Sequence, residues 1–171
     1  MKKGKERAVK QQSKKSMSPM EHALKYLTAK DRTVSEMQAY LDGKDFGEAD
    51  VDAAIDRLKE LGILDDRRYA QRFVETRLAS KPVSSAHLRE QLRGHGLNQE
   101  DIEAAMDTIG ADSDQTNALT VARKYDRQFH ALDPEKRRER VLSRLTARGF
   151  SYDVSRKAFE KADEEDEWSE S

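Results

Sequence analysis

Asp65 and Asp66 stand side by side in LGILDDRRYAQRF, residues 61 to 73, and two arginines follow them directly. Adjacent carboxylates are what a divalent cation uses, and a metal-dependent nuclease is the enzyme such a pair brings to mind. The same residues also open an amphipathic run of Tyr69, Ala70, Phe73, Val74 and Leu78. At a helix start a short acidic side chain accepts from an orphan backbone N–H, and a second carboxylate in the first turn suits the positive end of the dipole. Position therefore favours Asp65 as a cap, with Asp66 beside it in the first turn and unable to face the same ligand easily.

Arginine offers a second chemistry. In EKRRERVLSRLTARG, Arg137, Arg140, Arg144 and Arg148 recur every three or four residues and share one side of a helix. Arg68, Arg72 and Arg77 make a similar row, and Arg89 with Arg93 a shorter one. Such rows bind phosphates or acidic protein surfaces through bidentate forks, unless Glu75, Glu90, Glu135 and Glu139 pair with them on a solvated face. His22, His87, His95 and His130 lack ligand spacing and read as solvated or interhelical residues. Neither a phosphate loop, an HExxH pair nor a nucleophile elbow occurs, so no catalytic, metal or cofactor-binding residue is assigned.

The elements that must position these side chains are helices, because apolar residues recur at three and four and strand alternation is missing. Ser18-Pro19-Met20-Glu21 and Thr33 with Glu36 are capping boxes. Asp65, Asn98, Asp133 and Ser151 cap further helices, while Gly62 and Gly149 end them and Gly94 or Gly96 ends another. Nine helices result. Met37, Leu41, Phe46, Ala54 and Ile55 reappear 51 residues later as Leu88, Leu92, Leu97, Ala105 and Met106. After a further 53 they reappear as Val141, Leu145, Phe150, Ala158 and Phe159. The fold expected is all-α, three tandem three-helix repeats forming an elongated, curved array of either hand. Its divisions are a basic arm at 1–17, repeats at 18–62, 63–111 and 112–161, and an acidic tail at 162–171.

Composition agrees with small shared cores, since 36% of residues are apolar and 38% charged. The net charge of -1 conceals a polarity: residues 1 to 20 carry seven Lys or Arg against one Glu, and residues 160 to 171 carry seven acids against Lys161. The basic arm can screen phosphates, and the acidic tail can repel them or compete for a basic surface. No cysteine, secretory segment or bilayer-length apolar run is present, so a cytoplasmic protein without membrane contact is expected.

Three stretches, ALKYLTAKDRTVSEMQAYL, IDRLKELGILDDRRYAQRFVETRL and HLREQLRGHGLNQEDIEAAM, resemble the bacterial regulatory protein RecX family over residues 22 to 160. The middle one is the most specific, with Leu64, Asp65, Asp66, Tyr69, Ala70, Phe73 and Arg77 at the family's positions. The chain departs from the pattern at the link Ser80-Lys81-Pro82-Val83, at His95-Gly96 and at Arg32-Thr33. The resemblance implies three tandem three-helix repeats and a monomeric, non-catalytic modulator of RecA. Such a modulator binds the RecA filament on DNA, with DNA within or beside it, and usually inhibits ATPase, coprotease and strand-exchange activity in recombination and the SOS response. Arg68, Arg72, Arg77, Arg89, Arg93, Arg137, Arg140, Arg144 and Arg148 are the candidate contacts to filament or DNA. A stand-alone DNA-binding protein and the nuclease are the alternatives.

Overall fold

The computed structural model describes residues 17–169, with side chains through 165, so most of the basic arm and the end of the acidic tail lie outside the described residues. Nine α-helices are present among them and no strand. They are α1 Pro19–Leu27, α2 Val34–Asp42, α3 Glu48–Glu60, α4 Asp66–Ser80, α5 Ser85–Gly94, α6 Gln99–Met106, α7 Ser113–Phe129, α8 Pro134–Thr146 and α9 Tyr152–Ser169. The main helix–helix packing falls within three groups, α1–α3, α4–α6 and α7–α9. Each repeat has its own core: Met37, Leu41 and Leu58 in the first, Leu88, Leu92 and Ile102 in the second, Val141, Leu145 and Phe159 in the third. Each such side chain contributes about 1.5–3 kcal/mol by leaving water, which stabilises a unit of this size only modestly.

Local sequence fixes the helix starts. Ser18 and Thr33 each accept from the N–H three residues on, and Glu21 and Glu36 return the bond to the cap. Asp65, Asn98 and Asp133 accept from first-turn N–H groups of α4, α6 and α8, and Ser151 accepts from Val154 N–H at 3.3 Å. The last helix continues past residue 161, the expected end of the third repeat. Ala162 is buried, and Asp163 and Glu165 are bound by Arg137 and Arg123, so the first acidic residues belong to the fold.

The repeats meet through a junction that is itself repeated. At the first, Thr33 Oγ1 donates to the His95 carbonyl at 2.7 Å, and Asp66 Oδ1 accepts from the Val34 N–H at 2.8 Å. The carboxylate thus caps not its own helix but α2 of the preceding repeat, 32 residues back. At the second, Ser84 N–H donates to the Arg148 carbonyl at 3.0 Å, and Asp114 Oδ1 accepts from the Ser85 N–H and hydroxyl, both at 2.8 Å. Gly96 and Gly149, at φ 76° and 83°, let the turns before α6 and α9 lie against α2 and α5. A Cβ on Gly96 would overlap the Ser35 side chain, and one on Gly149 would lie 2.6 Å from Ser84 Oγ. Each junction is narrow, and the array it builds is elongated.

Burial raises the Asp66 carboxyl above the ordinary Asp value, against the opposing Val34 hydrogen bond. With the folded pKa raised, this group favours the folded state most at acid pH, and that contribution fades as pH climbs through the folded pKa. Asp66→Ala is therefore expected to cost about 1–3 kcal/mol in urea denaturation by orphaning the Val34 N–H. Asp66→Asn keeps an oxygen acceptor, should cost less than Ala, and should gain stability relative to wild type as pH rises above the ordinary carboxylate range.

Candidate partner-binding surface

The two adjacent carboxylates act on different helices. Asp65 Oδ1 accepts from Arg68 N–H at 2.9 Å within α4, while Asp66 reaches α2, so the pair does not converge. Among the described residues no group of three or more His, Cys, Asp or Glu is placed to hold a metal ion. His95 is interhelical, with Nδ1 at 2.8 Å from Glu36 Oε1 and 3.3 Å from the Tyr69 hydroxyl.

The arginines divide by what they already hold. Arg137, placed by periodicity on the open row of α8, instead turns inward. Its side chain is 20% exposed, its Nε lies 3.3 Å from the fully buried Asp126, and it also binds Asp163. It ties α8 to α7 and α9 through these two carboxylates, and removing it would break a buried ion pair. Arg89 forks onto Glu103 with two bonds of 3.1 Å, which holds the Glu103 carboxyl below its ordinary value and raises Arg89. Arg68 donates to the Gly62 carbonyl at 2.6 Å, Arg72 pairs with Asp31 at 2.9 Å, and half-buried Arg77 donates to Gln91 at 3.2 Å. Arg93, Arg140 and Arg144 are exposed and form no ion pair among the described residues.

Around Tyr125 the structure gathers what the sequence left separate. Arg148 donates to the Tyr125 hydroxyl at 2.8 Å and to the Arg144 carbonyl at 3.0 Å. The cationic groups of Lys124, Arg144 and Arg148 lie 5.6, 5.7 and 5.0 Å from the ring centroid. A cleft between repeats two and three runs past this cluster, and its charged lining is Lys81, Lys124, Arg127 and Arg148, with no carboxylate. Lys81 and Pro82 of the unusual link form part of its wall. A groove on α8 continues the surface with Lys136, Arg140 and Arg144 beside one acid, Glu139. Sequence reading missed Lys81, Lys124 and Arg127. A shift of 48, from Ala70 to Ala118, would have placed Lys124 at the position of Thr76, and so on the same cleft-facing side of its repeat.

This surface can hold several anionic oxygens at once. It is donor-rich, and its guanidinium forks are restrained by Tyr125 rather than neutralised. A cleft at the equivalent position lies between repeats one and two, where Lys30 and Asp31 face Tyr69, Arg72, Phe73 and Thr76.

Comparison with known proteins places the chain and its three repeats in one family. Models of the first, second and third three-helix domains of RecX match residues 20–58, 65–106 and 112–159. The chain is 33% identical over 144 residues to the Regulatory protein RecX of Trichlorobacter lovleyi, covering 81% of this chain and 92% of that one. It is 34% identical over 146 residues to that of Thermus thermophilus, covering 85% and 93%. The crystal structure of RecX from Lactobacillus salivarius shares the fold at a TM-score of 0.70 and 22% identity, covering 85% of this chain and 94% of its own. A second crystal structure of regulatory protein RecX superposes at 0.69 with 26% identity over 82% of this chain and 70% of its own.

The division of arginines predicts two different outcomes on one helix. Arg137→Ala should destabilise the protein by about 3–5 kcal/mol in chemical denaturation, because it breaks the buried ion pairing that joins α8 to Asp126 of α7 and Asp163 of α9. Arg140→Ala should stay within about 0.5 kcal/mol of wild type.

Proposed function

The chain belongs to the RecX family of regulatory proteins, and from that membership we propose that it regulates the RecA recombinase by binding the RecA filament on DNA. In this reading it is a cytoplasmic monomer that needs no cofactor and limits the filament's ATPase, coprotease and strand-exchange activity. The observation that carries the contact assignment is the unneutralised cationic surface of repeat three: Lys124, Arg127, Arg140, Arg144 and Arg148 all lack an ion pair among the described residues. Arg57, Arg72 and Arg89 on repeats one and two, and Arg123 and Arg156 within repeat three, are each paired with a carboxylate, whereas Arg93 on repeat two is open as well.

An elongated array held by narrow junctions has the reach to engage more than one subunit of a filament. Contacts made through separate repeats then reinforce one another, since the second binds at high effective concentration. A protein held across neighbouring subunits restrains the changes that accompany their nucleotide turnover, and it occupies the groove through which a second DNA strand would enter. Asp163 and Glu165 of α9, held by Arg137 and Arg123, add negative charge to repeat three and temper affinity for bare DNA.

The carboxylate-free cleft also supports a second reading, direct binding to DNA without RecA, for which steep salt dependence is the mark. Titration into preformed RecA filaments on single-stranded DNA, following ATPase rate and bound mass, separates the two. The filament reading expects stoichiometric binding and a falling ATPase rate. The double change Arg140→Glu and Arg144→Glu should weaken binding at least about tenfold with helicity retained, whereas Arg57→Glu on repeat one should leave it unchanged. Equal affinity of the double variant at matched salt would remove the surface assignment.

A further inference from the structure

The two clefts between repeats are equivalent in position but not in chemistry. In the first, the floor is Tyr69 and Phe73, stacked with centroids 6.3 Å apart and braced by the His95 ring at 5.5 and 5.1 Å. Both rings are only half-buried, and exposed Thr76 sits on the same face of α4. Shifted by 48, the corresponding residues in the second cleft are Asn117, Val121 and Lys124. The scaffold therefore folds without aromatic residues at these positions: Val121 joins the core of repeat three and lines the second cleft, whereas Phe73 packs on the core of repeat two and lines the first. The aromatic surface of the first cleft exceeds what packing requires.

Its rim is cationic. Lys30, Arg72 and Arg77 surround it with a single carboxylate, Asp31. The Arg72–Asp31 pair is about two-thirds exposed on both sides, 64% and 67%, and such pairs hold weakly. A partner's carboxylate can therefore replace Asp31 on Arg72 with little loss. We propose that this cleft is a docking pocket for an apolar side chain carried on an acidic segment of a partner protein, the side chain resting on Tyr69 and Phe73 while flanking carboxylates meet Arg72, Arg77 and Lys30. An aromatic floor with a basic rim matches how apolar anchors sit at the centre of interfaces inside a polar ring. Nucleic acid is the poorer occupant, because Asp31 stands at the rim where phosphates would pass, whereas the second cleft has no carboxylate at all.

This inference rests on the filament reading and names the protein contact within it. A photoreactive benzoylphenylalanine in place of Thr76 is irradiated in complex with RecA filaments on radiolabelled single-stranded DNA. The expected product is an adduct with RecA, mapped by mass spectrometry to a segment with an apolar residue among acids. A labelled DNA adduct from Thr76, or no adduct while the variant still lowers ATPase, overturns the pocket and leaves the filament reading standing. If unsubstituted protein fails to bind the filaments, the filament reading falls and the pocket with it. In parallel, Thr76→Glu should lower filament affinity at least tenfold with unchanged helicity, and Thr76→Ser should not. Equal affinity for the Glu variant overturns the proposal.

Discussion

A carboxylate from one repeat satisfies backbone N–H groups that would otherwise be orphaned at the start of a helix in the repeat before it. Asp66 does this for α2 and Asp114 for α5, both at 2.8 Å. Helix starts are where donors lack intrahelical partners, so the bond is directional and its geometry fixes one repeat against the next. The glycine turns at Gly96 and Gly149 complete the contact by letting backbone approach side chains that any Cβ would displace. Because both clefts open beside these junctions, their shape depends on the same few bonds.

The two ends of the array depart from this plan. Pro19 opens α1 at the first helical position that Asp66 holds in α4, so repeat one has no carboxylate reaching backward from that site. At the other end, a shift of 53 carries Ser84 onto Arg137, but α8 begins at Pro134, about one turn earlier. The position that caps α2 and α5 therefore becomes interior to α8, where Arg137 binds Asp126 and Asp163 of its own repeat. Charge is distributed to match: carboxylates neutralise cations where helices must be held together, and the surface around Tyr125 is left cationic.

The repeat was legible in sequence because its core is periodic and its caps are local, with Ser18, Thr33, Asp65, Asn98, Asp133 and Ser151 each bonding within three residues. What escaped depends on long-range geometry. Nothing in the spacing of Asp66 announces a partner 32 residues away. Arg137 and Arg140 share a helical stripe, and only the buried charge of Asp126, hidden within an otherwise apolar face of α7, pulls one of them inward. Lys124 and Arg127 lie on a helix whose periodic apolar residues mark only its core side, and only the packing of repeats brings them beside Lys81 and Arg148.

The chain contains no cysteine, so a pair introduced at Asp52 on α3 and Glu139 on α8 would carry spin labels at those two sites alone. Their distance distribution, measured by pulsed electron resonance, tests most directly whether the junction carboxylates set the geometry of the array. In the otherwise unsubstituted protein one narrow distribution is expected. Adding Asp66→Ala and Asp114→Ala should broaden it by several ångströms, on the scale of the motion that loosely joined domains show, while helical content persists. An equally narrow, unshifted distribution in that variant would contradict the central role of the junctions.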